Sequence, residues 1–304
     1  MATSRDAVPF RLASLRTAAG IRAAVAVENQ VHELPPRWHD LPAESVLALL
    51  QQWDRAFPAI QAAVARGESF GAQTLPVAEA RFAAPILYPR KLLMAGVNYV
   101  DHVHEMQGHR PDKTNVRPFA FLKATEGCLI GPGEAILCPA GEETLDWEGE
   151  LGVVIGRPAR NVPASAAYDY IAGYTICNDV TSRARSRRDD IQFRYDWYAS
   201  KSCDTFGPMG PYLVPRQFVP DPENLHLVTT VNGEAMQDSN TRFLLFNIAE
   251  LVEFLTRDAT LLPGDVISTG TPSGVGMGRG RFLQPGDVVA VEIEGLGRLE
   301  NPVR

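Results

Sequence analysis

Two carboxylates two residues apart stand out in the segment Asp146-Trp147-Glu148-Gly149-Glu150-Leu151. If this segment is a strand, Glu148 and Glu150 project together from one face, about 7 Å apart. Parallel carboxylates repel each other unless a cation lies between them or one is protonated. Asp179, just after the next apolar run (170–177), offers a third oxygen ligand. An all-oxygen set favours a hard ion such as Mg²⁺, with Mn²⁺ or Ca²⁺ as alternatives, over Zn²⁺.

The same pattern has a simpler interpretation. Glu-x-Glu pairs are common on the solvated faces of edge strands. The pattern alone favours this interpretation, in which Glu148 and Glu150 are simply exposed to water. The two interpretations differ in burial, because a solvated edge strand leaves its polar face in water.

The elements that position these residues are mostly short strands. The turn unit Pro-Gly-(Asp/Glu)-apolar occurs at 132–135, 263–266 and 285–288. Proline fixes φ and glycine supplies a positive φ, so each unit predicts a tight turn that enters a strand. Apolar periodicity predicts a helix over 247–257 and another over 43–66, kinked or split at Pro58.

This pattern predicts an α+β fold that is mostly β, a β-roll or sandwich, and not a doubly wound sheet. A stretch rich in glycine and proline at 67–90 suggests a boundary. We therefore expect a small N-terminal α+β cap at 1–88 and a larger β-roll domain at 89–304.

Composition excludes several classes of protein. The 304 residues carry 29 Lys and Arg against 36 Asp and Glu, a formal charge of −7, so we expect no nucleic-acid partner. The longest apolar runs are far shorter than the ~20 residues of a membrane-spanning helix, so we expect no membrane partner. The N-terminal arginines resemble a transit peptide, but Asp6 interrupts them and no apolar segment precedes a cleavage site.

The four cysteines lie far apart, which indicates neither a zinc cluster nor a disulfide framework. Reduced thiols and a mature N-terminus predict a cytoplasmic location. The cysteines are Cys128, Cys138, Cys177 and Cys203.

Eight segments, in order over two thirds of the chain, resemble those of the fumarylacetoacetate hydrolase family, metal-dependent enzymes that act on 2-oxo acids and 1,3-diketones. The first 90 residues carry no such segment, as suits a variable N-terminal cap. The matching residues are 96–99 with His102 and Glu105, 121–123, 146–151, 173–174 with 178–180 and Arg183, 201–205, 231–234, 262–267 and 269–276.

The resemblance implies that Glu148, Glu150 and Asp179 are the metal ligands. It also implies that His102 and Glu105 form a dyad that activates water. Their spacing places both side chains on one helix face, where they can hydrogen-bond, and a carboxylate that orients an imidazole makes it a general base near neutral pH. Without the resemblance, a surface histidine is the simpler interpretation of His102.

Three further residues gain roles from the same resemblance. Lys201 aligns with the active-site lysine and is expected to stabilise or protonate a developing enolate. Arg183 is expected to clamp a substrate carboxylate. Thr271, in a glycine-rich turn, is expected to present its hydroxyl and nearby backbone N–H groups to substrate oxygens.

The chain departs from the family at substrate-contacting positions. Ser186 stands where the family commonly has glutamine, inside a charged insertion that runs to about residue 198. Gln192 takes over that contact only if the insertion folds back. Cys203 stands where phenylalanine is usual in the family. These two departures leave the identity of the substrate open.

The resemblance favours a hydrolase that cleaves a C–C bond of an acylpyruvate, or a related 2-oxo acid or 1,3-diketone, through a metal-bound enolate. Oxaloacetate decarboxylation and hydration or isomerisation of a 2-hydroxydienoate are alternatives at the same site, because all three share one intermediate. A catalytically silent sensor of a metal and a 2-oxo acid is a further alternative, disfavoured by the intact set of site residues. Family members are usually homodimers, which we expect here.

Overall fold

The computed structural model describes residues 8–71 and 73–304. The predicted mature N-terminus, with Asp6, lies outside the described residues. In the part of the chain that is described, no helix is long and apolar enough to cross a membrane.

The fold is mostly β, as the sequence predicts. Its helices, α1 to α7 in chain order, are Val46–Leu50, Trp53–Ala65, Val100–Gln107, Arg183–Ser186, Trp197–Lys201, Ile248–Asp258 and Gly276–Arg279. Its strands, β1 to β20 in chain order, are Arg11–Thr17, Gly20–Val27, Gln30–Glu33, Arg37–Trp38, Leu41–Pro42, Thr74–Pro76, Phe82–Ala83, Leu92–Gly96, Phe119–Lys123, Leu129–Ile130, Leu145–Asp146, Gly149–Ile155, Ile171–Asn178, Thr181–Ser182, Gly207–Pro215, His226–Val231, Glu234–Asn240, Val266–Ser268, Val288–Ile293 and Gly297–Pro302.

One large mixed sheet forms the centre of the molecule, with strand order β6-β3-β2-β1-β15-β13-β12-β18-β8-β9. Strands β18 and β8 are parallel, whereas β12 is antiparallel to both β13 and β18. The start of β12 therefore lies beside the ends of β13, β18 and β8. These strand ends lie together at one end of the strands of the sheet, and the functional residues described below lie there.

The N-terminal strands are part of this same sheet. Strand β1 pairs with β15, where Leu12 faces Leu213. One apolar core joins residues of the N-terminal part, such as Phe10 and Ile60, to Val154 and Val266 of the later part. The sheet thus runs through the boundary predicted at residue 88.

The helical prediction for 43–66 is correct in type, but the helix is not split at Pro58. The chain divides at Gln51 and Gln52, between α1 and α2, and Pro58 lies inside α2. Pro58 and Asp54 are exposed, so water can satisfy the Asp54 carbonyl that the proline leaves without an N–H partner. The predicted helix 247–257 is confirmed as α6, whose start carries a capping box of Asn247 and Glu250.

The three Pro-Gly-acid turns share one geometry. Gly133, Gly264 and Gly286 all have positive φ, at 77°, 90° and 100°. The acidic residue of each turn accepts a hydrogen bond from the backbone N–H three residues earlier, at 2.7, 2.8 and 2.9 Å. The predicted tight turns are confirmed, and the carboxylate explains why Asp or Glu follows the glycine.

Candidate active site

Register in the central sheet brings the three predicted ligands together. Gly149 pairs with Asn178 across β12 and β13, and the Asp179 N–H donates to the Glu148 carbonyl at 2.8 Å. Carboxylate oxygens of Glu148, Glu150 and Asp179 all lie within 4.8 Å of one another, and all three residues are buried. Strand β12 is central and buried along its whole length, so the interpretation as a solvated edge strand is wrong.

The pKa values of Glu148 and Glu150 are shifted in opposite directions. Burial raises the pKa of Glu150, and the neighbouring charges of Asp179 and Glu148 raise it further. Burial also acts on Glu148, but the ammonium of Lys201 and the guanidinium of Arg183 outweigh it and lower the pKa of Glu148 below its ordinary value. A cation beside Glu150 would therefore favour its ionised form, which burial and the two neighbouring carboxylates disfavour.

Two buried ammonium groups flank Asp179. Lys123 Nζ lies 2.5 Å from Oδ1 of Asp179. Lys201 Nζ, at the end of α5, donates to Oδ2 of Asp179 at 2.6 Å, to Oε2 of Glu148 at 2.8 Å and to the Thr181 hydroxyl at 2.8 Å. Burial acts to lower the pKa of Lys201, but the carboxylates of Asp179 and Glu148 raise it overall. Lys201 thus lies among the predicted metal ligands as a cation.

The donor set fits a hard divalent ion. All three candidate ligands offer carboxylate oxygens, which Mg²⁺ and Mn²⁺ prefer. Oε2 of Glu150 accepts hydrogen bonds from the Ser268 hydroxyl at 2.5 Å and from the Gly270 N–H at 2.9 Å, which orient the carboxylate. Such second contacts orient metal-ligating carboxylates in proteins. The identity of the ion is part of the proposal below.

The structure forms the hydrogen bond expected between His102 and Glu105. Both side chains lie on α3, with His102 Nδ1 3.1 Å from Oε2 of Glu105. Because a carboxylate accepts here, Nδ1 carries the proton and Nε2 keeps a lone pair. His102 is 7% exposed and lines the same cavity as the three acids, so it is not a surface histidine. Oε1 of Glu105 accepts from the Gly274 N–H at 2.9 Å, which anchors α3 to the glycine-rich turn.

Arg183 lies in the site but is held by protein carboxylates. Its Nε donates to Oδ2 of Asp146 at 2.7 Å, and its Nη2 lies 2.7 Å from Oε1 of Glu148. Asp146 also accepts from the Met277 N–H at 3.0 Å. Arg183 therefore fixes Glu148 from the side opposite Lys201, and its predicted clamp on a substrate carboxylate stays a prediction.

Thr271 lines the cavity beside the acids. Its hydroxyl donates to the Gly149 carbonyl at 2.9 Å and accepts from Nε2 of Gln237 at 2.8 Å. The side chain therefore ties the glycine-rich turn to the start of β12. Its predicted contact with substrate oxygens stays a prediction.

The insertion folds back on itself, since Arg187 and Tyr195 form an antiparallel bridge. Gln192 nevertheless lies exposed at the far end of this loop, whereas the cavity lining includes Ser186, Arg187, Tyr195 and Trp197. Although the insertion folds back, Gln192 is not part of the cavity lining, to which the loop contributes the aromatic side chains of Tyr195 and Trp197.

Sequence reasoning gave no role to Lys123 or Asp146, although both lie in segments that resemble the family. A signal was present for each. Asp146 lies two residues before Glu148, so in an extended strand its side chain projects from the same face as those of Glu148 and Glu150. Lys123 ends a strand of otherwise apolar residues, β9, and a buried lysine needs an acidic partner.

The fold and this site together define a class of enzyme. Residues 91–304 match the family model described as fumarylacetoacetate (FAA) hydrolase C-terminal. The match spans most of the chain, and the chain belongs to the fumarylacetoacetate hydrolase family.

Particular relatives have different named activities. The mitochondrial oxaloacetate tautomerase of Homo sapiens is 40% identical over 232 residues, which cover 75% of this chain and 71% of that protein. The structure of 5-carboxymethyl-2-hydroxymuconate delta-isomerase from Mycobacterium smegmatis has 36% identity and a TM-score of 0.72, covering 96% of this chain and 98% of that one. The fumarylacetoacetate hydrolase from Exiguobacterium antarcticum has 30% identity and a TM-score of 0.78, covering 97% and 99%. The protein is thus similar to isomerases, hydrolases and a tautomerase of one superfamily.

Proposed function

We propose that the protein is a divalent-cation-dependent hydrolase that cleaves the C–C bond of acylpyruvates, the 2,4-dioxo acids. One observation carries the proposal: a single cavity of about 440 Å³ is lined by the buried acids Glu148, Glu150 and Asp179 and by His102 of the dyad. A base beside a cation site is what hydrolysis of a 2-oxo acid derivative requires.

The acids supply the cation site. When Mg²⁺ is bound by Glu148, Glu150 and Asp179, it acts as a Lewis acid for the oxygens of a 2-oxo acid. Lys201 adds a positive charge beside the same carboxylates, so it favours negative charge that develops on a substrate oxygen nearby.

The dyad supplies the base. Nε2 of His102 takes a proton from water, while Glu105 stabilises the resulting imidazolium through Nδ1–H. The hydroxide adds to the C4 carbonyl carbon, and the C3–C4 bond breaks with its electron pair on C3. The proton held by His102 then passes to C3, so the products are a carboxylic acid and pyruvate.

A second candidate is isomerisation or tautomerisation of a 2-oxo acid or its enol. The 36% identity to the M. smegmatis isomerase and the 40% identity to the human tautomerase favour it. In this reaction the dyad takes a proton from one substrate atom and returns it to another, with no attack by water.

A product panel distinguishes the candidates. The purified protein with Mg²⁺ is incubated in ¹⁸O-labelled water with acetylpyruvate, oxaloacetate or 2-hydroxypenta-2,4-dienoate, and products are followed by NMR and mass spectrometry. The hydrolase proposal predicts equal amounts of pyruvate and acetate, with one ¹⁸O atom in the acetate. Enol–keto interconversion without acetate would support the second candidate, and loss of CO₂ from oxaloacetate as the main reaction would contradict both.

A further inference from the structure

The cavity has a polar end and an apolar end. The acids and His102 form the polar end. Around the other end, large apolar side chains are more than a third exposed, an arrangement that marks a ligand-binding surface because soluble proteins rarely cluster exposed apolar groups. These side chains, with their exposed fractions, are Val97 at 39%, Met106 at 36%, Phe119 at 43%, Tyr195 at 58% and Met277 at 52%.

Four rings form one side of this apolar end, which we call the aromatic wall: Phe119 and Phe121 of β9, and Tyr195 and Trp197 of the insertion. Tyr195 and Trp197 are stacked, with centroids 5.6 Å apart and planes 11° apart. Trp197 and Phe121 are stacked at 5.3 Å and 17°. The wall is therefore an offset stack of rings contributed by two separate parts of the chain, with the exposed ring of Tyr195 at its outer end.

The aromatic wall begins at the polar end. Lys201 Nζ lies 5.5 Å from the centroid of Phe121, and the same ammonium contacts Glu148 and Asp179. Trp197 lies one helical turn before Lys201 on α5. A substrate with its 2-oxo acid at the carboxylates thus has the aromatic wall beside its acyl group.

The two arginines of the cavity lining do not favour a second carboxylate on the substrate. Arg183 is already paired with Asp146 and Glu148. Arg187 lines the cavity, but its side chain is 65% exposed and its Nε pairs with Asp189 at 3.2 Å. An exposed pair of this kind holds an anion weakly, because water screens its charge.

We propose that the preferred substrates are aroylpyruvates, whose aromatic ring stacks on the aromatic wall while the 2-oxo acid lies at the acid cluster. This inference rests on the proposed function and names its substrate class. Tyr195 and Trp197 are its specificity-determining residues. The insertion that removes the usual glutamine also supplies both rings.

The test compares kcat/KM for benzoylpyruvate, for acetylpyruvate and for an acylpyruvate ending in a second carboxylate. It uses the Mg²⁺-loaded wild type and three variants, Tyr195→Ala, Tyr198→Ala and Arg187→Gln. Tyr198 is the matched control, because it is 75% exposed on α5 and outside the cavity lining. We expect benzoylpyruvate to be preferred over acetylpyruvate by about tenfold. Tyr195→Ala lowers this ratio about 3- to 10-fold, as loss of a stacking contact does, and Tyr198→Ala leaves it unchanged.

Equal cleavage of benzoylpyruvate and acetylpyruvate, or a ratio that survives Tyr195→Ala, would overturn the inference while leaving the hydrolase proposal intact. A preference for the dicarboxylate that is lost in Arg187→Gln would also overturn it. If no acylpyruvate is cleaved, the hydrolase proposal fails and calorimetric binding of phenylpyruvate and pyruvate decides the inference. Tighter binding of phenylpyruvate, weakened by Tyr195→Ala, supports it, and equal binding contradicts it.

Discussion

Lys123 places its ammonium nitrogen 2.5 Å from Oδ1 of Asp179, with both side chains at most 2% exposed. The opposite oxygen of the same carboxylate contacts Lys201. Asp179 is thus neutralised from both sides in a region without bulk water. Removal of one partner of a buried ion pair leaves an uncompensated charge.

We therefore expect Lys123→Met to lower the free energy of unfolding of the metal-free protein by about 3 kcal/mol. Saturating Mg²⁺ restores part of this loss, because the ion supplies positive charge beside Asp179. Chemical denaturation with EDTA or with Mg²⁺ measures both effects. Lys91→Met is the matched control, since Lys91 pairs at 2.8 Å with the buried Asp265, outside the site. A loss in Lys123→Met that Mg²⁺ does not change would contradict this role.

The imidazole of His102 is assigned to proton transfer and not to metal binding. His102→Ala is expected to lower kcat by about 10²- to 10⁴-fold, the usual contribution of a general base. The Mg²⁺ dissociation constant, measured by calorimetry, stays within about twofold. His104→Ala, on the same helix but exposed, controls for damage to α3. Loss of Mg²⁺ binding in His102→Ala would show that His102 contributes to metal binding, contrary to its assignment to proton transfer.

Gly278 keeps space for the Glu105 carboxylate. A Cβ at this glycine would overlap with the carboxylate of Glu105, so Gly278→Ala forces that side chain away from His102. Alanine is a better helix former than glycine, by about 0.5–1 kcal/mol, and Gly278 lies within α7. We expect unchanged or higher thermal stability and unchanged Mg²⁺ binding, but a kcat reduced at least about tenfold. A variant with full activity would show that the dyad does not need Glu105.

The raised pKa of Glu150 gives metal binding a pH dependence. A carboxyl with a raised pKa retains its proton above the ordinary value of 4.5, so Mg²⁺ must displace that proton. Because burial and the neighbouring carboxylates raise the pKa of Glu150 to about 8, the affinity for Mg²⁺ is expected to rise with pH up to about pH 8. In the metal-free protein the same group lowers stability as pH rises through this window, because the folded state binds the proton more tightly than the unfolded state.

Calorimetric titration at several pH values, in buffers of different ionisation enthalpy, measures the proton released on Mg²⁺ binding. Ser268→Ala removes a hydrogen bond that lowers the pKa of Glu150. The pH range over which the Mg²⁺ affinity rises therefore moves to higher pH in this variant. Affinity independent of pH, with no proton released, would contradict the assignment of Glu150.

Local patterns predicted the features of this molecule that depend on short stretches of chain. Strand parity places Glu148 and Glu150 together, a helical turn separates His102 from Glu105, and the Asn247–Glu250 capping box marks the start of α6. Carboxylates from 148–150 and from residue 179 meet because β12 and β13 are consecutive antiparallel strands, the simplest connection in a sheet.

What the sequence did not reveal depends on pairing between distant segments. Lys123 and Asp179 meet only because β9 and β13 belong to the same large sheet. Arg183 is held by Asp146 through the short pairing of β11 with β14. The inclusion of β1 in the central sheet likewise depends on its pairing with the distant β15, where Leu12 lies opposite Leu213. Such contacts have no signature in the spacing of residues along the chain.

The proposed binding of a hard divalent cation by Glu148, Glu150 and Asp179 can be measured by titration of the EDTA-treated protein with Mn²⁺, followed by the EPR signal of free Mn²⁺. Glu150→Gln is the test variant, because the amide resembles the protonated carboxyl that burial favours in the metal-free state, and the exposed Glu126→Gln is its control. We expect one Mn²⁺ per chain in the wild type and in Glu126→Gln, and at least about tenfold weaker binding in Glu150→Gln. Wild-type affinity in Glu150→Gln, or no Mn²⁺ bound by the wild type, would contradict the proposed binding.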